Sequence, residues 1–243
     1  MTTLAALGLS LLGTVGGVLT ASAFLLARER VRDRLLPALL SYAVGTLLGA
    51  ALLGLLPEAL ETLRPRAVLG TLIAGVLAFF VLEKSVLLRH CHDTADCRLH
   101  SSAAPLVLVG DALHAFADGA VIAAAVSLSL PLGLSTAIAV AAHEIPQEVG
   151  DFAILLGAGY SRRRAFGVNL VSAGGALAGA GAVLLSAHQM PGVLPWVLAF
   201  AAGNFLYIAM ADLIPTLHRG ALEASPLRQV LLIGAGVVSV GLF

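Results

Sequence analysis

Runs of about twenty apolar residues recur along this chain, and that recurrence limits its fold more than any other feature. A helix needs roughly 20 residues to cross the hydrocarbon layer of a bilayer. Eight stretches approach that length, at 4–26, 38–60, 67–88, 104–130, 132–158, 165–187, 193–217 and 227–243. Hydrophobic residues make up 59% of the 243 and charged residues 12%, which places the chain outside the soluble range. The expected fold is an all-α polytopic membrane protein with eight transmembrane helices, forming one domain over 1–243. The connecting loops leave no room for a separate soluble domain.

The basic residues set the expected orientation, because cytoplasmic loops collect Lys and Arg. Arg28, Arg30, Arg32 and Arg34 follow the first span; Lys84, Arg89 and Arg98 follow the third. Arg162, Arg163 and Arg164 follow the fifth, and Arg219 and Arg228 follow the seventh. Only Arg64 and Arg66 fall on the other side, so both termini should be extracytoplasmic. The first span resembles a signal peptide at Ala21-Ser22-Ala23, but its positive charges follow the apolar run, so a retained span is expected. A formal net charge of zero argues against a nucleic-acid partner. Cys91 and Cys97 lie in the expected cytoplasmic loop, where thiols stay reduced.

Span two ends in Leu55-Leu56-Pro57-Glu58-Ala59-Leu60 and span seven in Asp212-Leu213-Ile214-Pro215-Thr216-Leu217. The two are five spans apart, so these ends point to opposite membrane faces, as in an inverted repeat of spans 1–3 against spans 6–8. Spans four and five would stand between the repeats. Gly13 with Gly17, Gly45 with Gly49 and Gly175 with Gly179 have the small-residue spacing of close helix contacts. They are expected to serve packing more than a dimer seam, and to leave smooth faces for sliding.

Spans four and five break the apolar rule. Asp111, His114 and Asp118 fall within roughly 60° on the first helix. His143, Glu144, Gln147, Glu148 and Asp151 fall within roughly 140° on the second. An ionised group at mid-bilayer costs roughly 2.5 to 3.5 kcal/mol on insertion scales, so such walls imply a bound ion or a polar pathway. Imidazole with carboxylate suits zinc and its first-row neighbours, whereas magnesium or calcium favours an all-oxygen shell. Gln147 is a weaker, neutral ligand suited to release. Pro146 removes a backbone hydrogen bond inside this wall and is expected to interrupt the helix.

These residues resemble the ZIP (Zrt-, Irt-like protein) family of divalent metal transporters, particularly its bacterial members. His143-Glu144-Ile145-Pro146-Gln147-Glu148-Val149-Gly150-Asp151-Phe152 is similar to the family's H-E-I-P-H-E-L-G-D-F. His114-Ala115-Phe116-Ala117-Asp118-Gly119 resembles its H-N-F-x-D-G. The resemblance implies eight spans arranged three, two and three, in a multi-pass protein of the cell (inner) membrane. It implies zinc uptake, with Fe2+, Mn2+ or Cd2+ as related substrates, by an elevator-type movement of spans four and five. The metal ion is then substrate, not cofactor.

It also implies a transport site of His114, Asp118, His143 and Gln147, with Glu144 adjoining. Ala115 departs from the family's Asn and cannot coordinate, which puts a two-metal centre in doubt. Gly54 stands where the family has a His. Asp111, Glu148 and Asp151 are secondary candidates, as ligands of a secondary metal, as supports behind the first ligands, or as helix contacts. His90, Cys91, His92, Cys97 and His100, in the loop 89–103, are candidates for metal capture at the cytoplasmic face. A homodimer is the expected partner arrangement beyond lipid and metal.

One enzyme reading competes. His143-Glu144-Ile145-Pro146-Gln147 is one residue from H-E-x-x-H, the zinc-protease helix with Glu as general base. An intramembrane zinc hydrolase would need a second His at Gln147.

Overall fold

The computed structural model describes residues 2–88, 103–218 and 225–242. The described residues contain helices and short turns and no strand. In order, the α-helices are α1 Thr2–Leu25, α2 Glu29–Gly49, α3 Leu56–Thr62, α4 Pro65–Leu88, α5 Ala103–Leu128 and α6 Leu130–Gly157. They continue with α7 Arg162–Ala173, α8 Gly175–Gln189, α9 Leu194–Tyr207, α10 Ile214–His218 and α11 Pro226–Gly241. Two π-helical stretches, Ala50–Leu55 and Ile208–Leu213, join α2 to α3 and α9 to α10.

Among the described residues, six helical segments are long and apolar enough to cross a membrane, including Thr2–Leu25, Leu108–Leu128 and Leu194–His218. The protein is therefore an all-α polytopic membrane protein. α6 has 28 residues but is not one of the six, because His143, Glu144, Gln147, Glu148 and Asp151 dilute its apolar character. α11 is apolar but 16 residues long. Lipid-facing surface is plain on α4, where Leu69, Ile73, Leu77, Phe80 and Val81 are exposed at helical spacing.

Local sequence explains several boundaries. A single residue, Ser129, joins α5 to α6; its side chain accepts the Leu132 N–H at 3.3 Å, so the two helices form a tight hairpin. α6 ends at Gly159, whose φ of 85° is open to glycine. There Gly159 N–H bonds the Leu156 carbonyl and Tyr160 N–H the Leu155 carbonyl, both at 3.0 Å. Ser161 then caps α7 by accepting the Arg164 N–H.

One expectation needs correction. α6 runs as one α-helix through Pro146, so the proline does not interrupt it. Span six runs as one apolar stretch over Arg162–Gln189, with a single turn residue of helical φ and ψ, Gly174, marking the junction of α7 and α8.

The packing is reciprocal between the two ends of the chain. α2 lies against α11 as α9 lies against α4, and α1 lies against α6 as α8 lies against α5. The π stretch after α2 touches α9, and the one after α9 touches α2. Each stretch ends two residues before a proline, Pro57 or Pro215. A proline has no N–H and its ring crowds the carbonyl four residues back; the wider π turn accommodates both.

The glycines serve contacts within these pairs. An added Cβ at Gly45 would run into the Ile233 backbone of α11, and at Gly179 into the Phe116 backbone of α5. The glycine faces are thus filled by the same chain, and they bind helices together within a bundle where sliding faces had been expected.

Candidate metal centre

The α5 and α6 walls meet at mid-helix. His114 and Asp118, one turn apart on α5, face His143 and Glu144 on α6. One ligand atom from each of the four lies within 4.8 Å of all the others, and all four residues are buried. His114 Nε2 is 3.1 Å from His143 Nε2 and 3.4 Å from Asp118 Oδ2. His143 Nε2 is 3.3 Å from Asp118 Oδ2, and His114 Nε2 is 3.8 Å from Glu144 Oε1. Donors bound at 2.0–2.1 Å around a tetrahedral zinc are separated by about 3.3 Å. The four measured separations bracket that edge.

The protonation pattern of one imidazole follows from its neighbour. His143 Nδ1 is 2.9 Å from the Ala139 carbonyl, which can only accept. Nδ1 therefore carries the proton, and the Nε2 lone pair faces the other three groups. Asp118 Oδ2 and Glu144 Oε1 are buried without a hydrogen-bond partner. Two buried carboxylate oxygens and two imidazole nitrogens directed at one point make a donor set for a divalent cation.

Surrounding helices shape this point. Phe79 of α4 meets the His114 ring edge-on at a centroid distance of 5.3 Å, and Phe205 of α9 meets His143 at 5.9 Å. On the α1 side, a Cβ at Gly17 would stand 2.8 Å from Glu144 Cβ, so only glycine lets α1 lie this close.

The other sequence candidates lie on the same walls but outside the four. Gln147 is half-buried, one turn from His143 on the same wall, and lies within hydrogen-bonding reach of Asp111. Asp111 is buried and also accepts the Ser172 hydroxyl from α7. Glu148 is buried, with Asp111, Asp151 and Asn169 around it. Asp151 is half-buried nearer the end of α6. Ala115 is buried beside His114 and offers no donor. His90, Cys91, His92, Cys97 and His100 lie outside the described residues.

Phe79, Phe205, Asn169 and Ser172 were not singled out in the sequence. Asn169 and Ser172 carried a usable signal, as polar groups three residues apart within an apolar stretch.

Comparison with known proteins adds a family. The model of the "ZIP Zinc transporter" family matches residues 88–243. Zinc transporter ZIP13 of Pongo abelii is 38% identical over 223 residues, which is 86% of this chain and 66% of the relative. Zinc transporter ZIP13 of Homo sapiens is 34% identical over 261 residues, or 86% and 70% of the two chains. Zinc transporter ZIP4 of Mus musculus is 47% identical over 112 residues, 46% of this chain and 17% of the relative. The chain thus spans about two thirds of the ZIP13 relatives' length.

Proposed function

We propose, from the premise that this chain belongs to the ZIP zinc transporter family, that it carries divalent transition-metal ions, zinc foremost, across the cell membrane into the cytoplasm. The observation that carries the proposal is the convergence of four buried donors, one atom from each lying within 4.8 Å of all the others, a set that suits a zinc-type ion. His114, Asp118, His143 and Glu144 hold the ion, and Gln147 with Asp111 receives it at the next turn.

Eight spans serve this function, α6 and α11 being the two beyond the six apolar segments, in a three, two and three arrangement over one domain, 1–243. Both termini are extracytoplasmic. α6 crosses despite its carboxylates because its polar wall faces protein, not lipid: His143, Glu144 and Glu148 are all buried.

Movement follows from how the helices group. α5 and α6 pack with α1, α7 and α8, while α2 packs with α11 and α4 with α9; α6 also meets α2, and α5 meets α9, where the two groups adjoin. Between α5 and α8 on one side and α4 and α9 on the other lies a largely apolar cavity, lined by Phe116, Ala120, Trp196, Phe200 and Asn204. A close-packed interior resists sliding. A seam with open volume gives one bundle room to shift against the other, in the elevator manner, carrying its ion from the outer to the inner face.

The hydrolase reading gains nothing from the site. It needs an imidazole at position 147, and the amide there is engaged with Asp111.

Uptake of 65Zn2+ by proteoliposomes tests the proposal. His143→Ala and Asp118→Ala should each abolish uptake while the protein still elutes as a folded species. Uptake by His143→Ala at the wild-type rate would overturn it.

A further inference from the structure

One turn beyond Glu144 on α6, towards the loop that carries Arg162, Arg163 and Arg164, lies a second buried polar group that the four-donor centre does not use. Glu148 is 1% exposed, and both of its carboxylate oxygens lack a hydrogen-bond partner. Asn169, from α7, is 0% exposed, and both its amide oxygen and its amide nitrogen are also unpartnered. The two side chains are neighbours, with the amide near enough to act on the carboxylate as a weak hydrogen-bond donor. Asp111, from α5, is the acid that acts on Glu148 most strongly, and it accepts the Ser172 hydroxyl.

Four buried polar atoms with at most one weak bond among them are costly. Each orphaned group forfeits about 1–3 kcal/mol, and an unpaired buried carboxylate costs more. The groups acting on Glu148 are Asp111, Asp151 and Asn169, none of which is a cation. A bound cation satisfies the carboxylate and the amide oxygen together. Hydroxyl, amide and carboxylate oxygens form a hard, all-oxygen set, unlike the imidazole pair of the first centre.

We infer that Glu148 and Asn169, with Asp111 beside them, form a second, weaker cation site about 6 Å along α6 from Glu144. As a stage in transit it rests on the transport reading above. An ion leaving the two imidazoles exchanges nitrogen donors for oxygen donors, binds zinc-type metals less tightly there, and is released.

Mn2+, which accepts oxygen donors readily, is the probe. Titration of the full chain in lipid nanodiscs, followed by electron paramagnetic resonance, should show two classes of bound Mn2+. His143→Ala should leave the oxygen-ligated class intact. Glu148→Gln, which keeps the side-chain shape, should weaken that class at least tenfold, and Asn169→Asp should tighten it severalfold. Glu148→Gln that binds as much Mn2+ as the wild type, at the same affinity, would overturn the inference. So would loss of all Mn2+ in His143→Ala, a result that would leave the four-donor centre standing. Conversely, unchanged zinc binding in His143→Ala with loss of Mn2+ in Glu148→Gln would sink the transport site and spare this one.

Discussion

Gly17 shows how narrowly one atom can set the geometry of the centre. Its missing Cβ lets α1 pass against Glu144, where a methyl group would stand 2.8 Å from Glu144 Cβ. Gly13, one turn earlier on the same face, would place its Cβ 3.4 Å from a Val140 methyl, an ordinary contact. Gly17→Ala should therefore lower zinc affinity at least tenfold, because it displaces a ligand. Gly13→Ala should bind zinc as the wild type does, and isothermal titration in nanodiscs would compare the two. Equal affinities would show that Glu144 does not hold the ion. Ala115 supports a converse expectation, since it is buried beside His114 and lacks a donor. Ala115→Asn should raise the zinc bound per chain, as measured by elemental analysis after desalting.

At the scale of elements, the distinctive feature is the pair of π stretches ahead of Pro57 and Pro215. They occupy matching places in two packing units that mirror each other, α2 with α11 and α9 with α4. Close approach within these units depends on glycine. A Cβ at Gly203 would run into the backbone carbonyl of Leu72 on α4, whereas one at Gly70 would meet nothing within 4 Å. Gly203→Ala should therefore cost about 1–3 kcal/mol through overpacking. It should lower the thermal midpoint in detergent, and Gly70→Ala should not. Circular dichroism at 222 nm during heating would separate the two.

For the whole molecule, the seam between the two helix groups is where transport should be most sensitive to volume. Ala120→Trp would fill the cavity that Trp196 and Phe200 line from the other side. It should slow zinc uptake by at least fivefold while leaving equilibrium zinc binding unchanged, since Ala120 lies outside the four donors. Orientation makes a separate prediction. In a background without Cys91 and Cys97, an impermeant thiol reagent applied from outside should label Leu4→Cys and Leu242→Cys, both exposed sites. Arg30→Cys should be protected until the membrane is opened. Labelling of Arg30→Cys from outside would reverse the proposed topology.

Much of this was legible in the chain because it depends on local spacing. Apolar runs placed the helices to within a few residues, apart from the earlier start of α2, and i, i+4 spacing put His114 with Asp118 on one face and the acids of α6 on another. The repeated Leu-Pro and Ile-Pro endings marked the reciprocal units. Tertiary packing decided the rest. It brought Glu144 up to His114, Asp118 and His143, because the approach of α5 to α6 fixes which turn of each wall meets. It carried Asn169 and Ser172 from α7 to the acids, and it let α1 touch the centre at Gly17. Periodicity fixes which face of a helix a residue occupies, whereas its partner across the gap depends on helix crossings that no single segment encodes.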